Sequence, residues 1–97
     1  MFSWFDARDA QKFGISLAEF YMERIPVEAP NKKNKSLEKK QEVLNTMFSQ
    51  IPPFKMKHNL NIYQKAKLGN AFKWKLLEAD YDPALVDELT KVLLLKC

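Results

Sequence analysis

Apolar residues recur at three- and four-residue spacing in four stretches of this chain, and prolines and asparagines separate the stretches. In the first, Ala10, Phe13, Gly14, Leu17, Ala18 and Tyr21 predict a helix over 7–24. Asp6 stands where an N-cap carboxylate accepts from free amides, with Asp9 near the positive helix end. Phe5 and Ala10 are placed as a small hydrophobic staple, and Pro26 and Pro30 stop the helix. The second stretch, Leu37, Leu44, Met47, Phe48 and Ile51 with Val43 beside them, predicts a helix over 37–51. Ser36 would cap it, and Pro52 and Pro53 are expected to end it.

The third stretch predicts a helix over 60–79, capped by Asn59 or Asn61. Ile62, Ala66, Gly69, Phe72 and Leu76 make one stripe, and Tyr63, Trp74, Leu77 and Tyr81 a second. An apolar arc that wide belongs to a helix at the centre of its bundle or between two partners. The fourth predicted helix, 83–95, has the plainest start, because Asp82-Pro83 sets a cap before proline at the first helical position. Leu85, Val86, Leu89, Val92 and Leu93 follow in register. The expected fold is therefore all-α, one domain over 1–97 with about four helices, and two antiparallel helical hairpins are the arrangement the pattern favours.

Both glycines fall inside predicted helices, where each costs roughly 1 kcal/mol against alanine and calls for a compensating contact. Lys12-Phe13-Gly14-x-x-Leu17 is matched by Lys67-Leu68-Gly69-x-x-Phe72, leaving internal duplication and chance both open. Leu68-Gly69-x-x-Phe72 with the later Tyr81-x-x-Ala84 is similar to the packing residues of a tetratricopeptide repeat. The spacing is longer than in that repeat, and Glu88 stands where it has an aromatic. What the likeness implies is limited to a helix pair with a small residue at its contact.

Composition narrows the class without naming a function. Apolar residues are 46 % and charged residues 29 %, as in a globular domain. No apolar run approaches the ~20 residues that span a bilayer, and the start lacks the basic region of a signal peptide. A soluble, cytoplasmic protein is the expectation. A single cysteine excludes an internal disulfide framework. The net charge of +4 hides an asymmetry, since residues 32–75 carry eleven lysines against Glu38 and Glu42 while both flanking segments are acidic. A basic centre between acidic ends is matched inside the molecule as readily as by an outside polyanion.

No catalytic pattern emerges. His58 is the sole histidine, a loop residue among lysines, and Cys97 is the last residue. Glu19 with Glu23 and Asp87 with Glu88 read as solvated faces, because no Glu-x-x-His motif accompanies them. No phosphate loop or nucleophile elbow is present. The expectation is a non-enzymatic chain with no cofactor and no metal. Two binding readings remain. Phe2, Trp4, Phe5, Tyr63, Trp74 and Tyr81 exceed what a small bundle readily encloses and are the candidate protein-interaction residues, with a homodimer the simplest partner. Lys32, Lys33, Lys35, Lys55, Lys57, Lys65 and Lys67 are the candidate contacts for nonspecific polyanion or nucleic-acid binding.

Overall fold

The structure, a computed structural model, describes residues 6–27 and 37–97. Among them are five helices and no strand: α1 (Arg8–Arg24), α2 (Leu37–Phe48), α3 (Ile51–Lys57), α4 (Ile62–Glu78) and α5 (Pro83–Lys96). The all-α expectation holds, with four long helices close to their predicted limits and one short addition. That addition corrects the reading of Pro52 and Pro53. They do not simply end a helix at Ile51; they occupy the first turn of α3, where the missing amide protons would have no intrahelical acceptor anyway. The preceding helix stops at Phe48, and the connection 28–36, with its Ser36 cap, lies outside the described residues.

The helix starts follow cap chemistry. At α4, Asn61 accepts from the Gln64 amide while the Gln64 side chain accepts from the Asn61 amide, a reciprocal capping box. At α5, Asp82 accepts from the Leu85 amide ahead of Pro83. α1 departs from expectation: Ala7 is its N-cap, and the Asp6 carboxylate instead takes the Arg8 amide and guanidinium. α4 ends in a Schellman turn, with the Tyr81 amide on the Leu76 carbonyl and the Asp80 amide on Leu77. Asp80 takes the left-handed position, φ 69°, that glycine usually fills there.

The helices form two antiparallel pairs. The α2–α3 segment returns along α1, bringing Val43 beside Phe20 and stacking Phe54 on Phe13 at 4.0 Å. α5 returns along α4, with Leu94 against Gly69. The pairs meet through α1 and α4, which run in the same direction. Contacts along this seam pass in order from Asp6 with Gln64, through Gly14 with Leu68 and Glu19 with Lys75, to Ile25 with Tyr81. α4 thus packs on both α1 and α5, as its wide apolar arc requires. Leu17, Met47, Ile51, Leu68, Phe72, Leu76, Val86 and Leu93 form the fully enclosed centre. Ile62 and Ala66, placed by spacing in one apolar stripe with Gly69, Phe72 and Leu76, are exposed, and Gln64 and Leu68 are buried with the other three.

Candidate interaction surface

The aromatics expected to look outward divide sharply. Trp74 is 58 % exposed on α4, with the Lys73 ammonium 6.0 Å from its ring. Tyr63 is half-buried and Lys67 lies over its ring at 5.5 Å. Tyr81 is a correction: it is buried, its ring meets Tyr21 edge-on at 5.7 Å, and its hydroxyl donates to the Ile25 carbonyl. The Schellman turn aims it inward, so it closes the end of α1 rather than offering a contact. Phe2, Trp4 and Phe5 lie outside the described residues.

Other apolar side chains take the outward places. Met56 on α3, Ile62 on α4 and Leu95 on α5 are each more than three-quarters exposed. Leu85, Val92 and Leu94 are partly exposed on α5 as well. The sequence carries a signal for this. α5 is apolar at Leu85, Val86, Leu89, Val92, Leu93, Leu94 and Leu95, more positions than one buried stripe accepts.

The described lysines do not form one face. Lys55 and Lys65 lie close enough to Cys97 to act on its thiol, and Lys96 stands 5.3 Å from the Phe48 ring. All three gather at the carbonyl end of α5, where cations oppose the partial negative charge of the helix. Burial pushes the Cys97 thiol pKa up, and the charges of Lys55 and Lys65 only partly offset this. Lys57 lines a cleft that also contains Asp6 and Asp9. Lys67 covers Tyr63, while Lys32, Lys33 and Lys35 lie outside the described residues. The acidic first segment meets a basic group through Glu19 with Lys75 at 3.8 Å, and Asp9 stands 3.9 Å from the His58 ring.

The cleft holding Lys57 measures about 330 Å³ and lies between the start of α1, the end of α3 and the start of α4. His58 stacks on Phe54 at 4.5 Å and faces Asp9 there. Among the described residues its lining includes no serine, threonine or cysteine for a base to activate. The Asp6 carboxyl is held at about 2 by the hydrogen bonds of Arg8. Gln64, a buried polar residue that sequence reasoning missed, is engaged at both amide atoms, because its Nε2 donates to the Asp6 carbonyl at 2.9 Å and its Oε1 accepts from Asn61. The Asn61-x-x-Gln64 spacing was the available clue.

Among the described residues no three histidine, cysteine or acidic side chains converge as metal ligands would. No described helix is long and apolar enough to cross a membrane. Comparison with family models, with curated proteins and with solved structures gives no match to this chain.

Proposed function

We propose that this chain is a non-enzymatic helical module that binds another protein surface through the outer sides of α4 and α5. The observation that carries the reading is Leu95, 86 % exposed on a helix whose opposite side already fills the core with Val86, Leu89 and Leu93. Trp74 and Ile62 add large apolar area on α4. Side chains of this size left in water by a complete core are the usual mark of a surface that a partner covers. The reading keeps the cytoplasmic setting expected from the sequence.

Binding of a polyanion through the central lysines is the second reading. It is weaker, because Lys55 and Lys65 sit at the carbonyl end of α5 and Lys57 sits beside acidic residues. A photo-crosslinking residue placed at Trp74 or Leu95 in cells tests the first reading. Adducts with protein at these positions, and none at the exposed Glu23, are expected. Adducts only with nucleic acid, or none at all, would overturn it.

A further inference from the structure

The outward strip of α5 carries an order of residues that limits what can lie on it. Leu85, Glu88, Val92 and Leu95 follow at helical spacing and share one side of the helix. Leu85 and Val92 are 39 % and 36 % exposed, and Leu95 is almost free of the bundle. Glu88 is exposed, and among the described residues it has no ion-pair partner. Lys91 borders the strip and is held from below by Asp87 at 3.3 Å. Phe48 of α2, half-buried under Lys96, extends the apolar edge beyond the one helix.

Reversed end for end, the strip sets Leu85 at the level of Leu95 and Glu88 at the level of Val92, with Lys91 beside Val92 at its edge. Two α5 helices side by side in opposite directions, related by a two-fold axis across the strip at the level of position 90, put Leu95 at the level of the partner's Leu85. Glu88 then falls one residue, about 1.5 Å of rise, from the partner's Lys91. Parallel helices in register would set Glu88 against a second Glu88, which like-charge repulsion disfavours.

We infer that α5 docks on α5 of a second copy of this chain, as an antiparallel two-fold pair with crossed Glu88–Lys91 contacts. The inference rests on the interaction reading above and names its partner. A helix of this length buries an area near the lower limit of specific interfaces, so the pair is reversible, with a Kd on the order of micromolar.

Sedimentation velocity from about 1 μM to about 1 mM covers that range. The wild type is expected to pass from monomer to dimer. Leu95→Lys, Glu88→Lys and Lys91→Glu should each weaken the dimer about tenfold or more, while the doubly reversed Glu88→Lys/Lys91→Glu chain recovers most of it. These residues are exposed, and unchanged helical circular dichroism checks that each variant folds. A wild type monomeric throughout, a dimer indifferent to Leu95→Lys, or a double variant no better than the single ones would overturn the inference. A monomeric chain whose Leu95 position crosslinks to a different protein in cells overturns the inference while the broader interaction reading stands. Loss of both the dimer and every protein adduct removes the two together.

Discussion

Gly14 and Gly69 stand in matching local sequences on α1 and α4, yet they meet different kinds of neighbour. A Cβ on Gly14 would overlap the Leu68 carbonyl oxygen and come within 3.3 Å of the Ala71 Cβ. The nearest atoms to a Cβ on Gly69 all belong to the Leu94 side chain, with Cδ2 at 2.9 Å. The first contact is backbone against backbone, and neither helix can yield without moving as a whole. The second is backbone against the far end of a partly exposed leucine, which can rotate away. Similar motifs therefore serve two seams of unequal rigidity. The α1–α4 seam is also tied by polar groups near both ends, Gln64 to the Asp6 carbonyl and Tyr81 to the Ile25 carbonyl. At the α4–α5 seam, α5 sets Val86, Leu89 and Leu93 into the core and Leu94 against Gly69.

The most severe break in that comparison is Gly14→Ala. Forcing the α1 and α4 backbones apart should cost about 3 kcal/mol, the upper range for overpacking, seen as a lower urea midpoint. Gln64→Leu comes next. It keeps the volume but strands the Asp6 carbonyl and half of the capping box, for an expected loss of about 2 kcal/mol in the same assay. Tyr81→Phe removes one hydroxyl from a buried carbonyl and should cost about 1 kcal/mol, with the melting temperature falling by several degrees.

Gly69→Ala sharpens the contrast. Better helix propensity of about 1 kcal/mol offsets the displacement of Leu94, so its stability should stay within about 1 kcal/mol of wild type. A loss as large as that of Gly14→Ala would make the two seams equivalent.

The smallest effect concerns the exposed start of α1. Hydrogen bonds from Arg8 hold the Asp6 carboxyl at about 2, below its ordinary 3.8. A lowered carboxyl pKa stabilises the fold above the ordinary value, and the contribution disappears as pH falls from there through about 2. Arg8→Ala should return the Asp6 titration, followed by carboxyl NMR, toward 3.8 and remove that part of the acid sensitivity.

Much of the fold was legible because local chemistry and tertiary structure agree. Asp82-Pro83 caps α5 as read, Asn61 caps α4, and the paired glycines do sit at close contacts. The errors have physical causes. Prolines break a helix interior but suit a first turn, so Pro52 and Pro53 open α3, and spacing alone does not separate those roles. Tyr81 lies between α4 and α5, and a left-handed Asp80 sets its direction, which periodicity in either helix does not convey. Ile62 fits the stripe of Gly69, Phe72 and Leu76 by count, but the buried arc of α4 is rotated toward Gln64 and Leu68 by the α1 contact. The outer side of α5 was less legible than its inner side, since a leucine-rich helix does not mark which leucines the core accepts.

The central claim is that the seams hold the bundle while the outer strip of α5 stands outside the fold and is covered by a second copy. The urea midpoint of wild type and Leu95→Lys, each measured across protein concentration, tests it most directly. The account predicts equal midpoints at high dilution, a rise with concentration for wild type, and no rise for the variant. A lower variant midpoint at high dilution, or a wild-type midpoint indifferent to concentration, would contradict it.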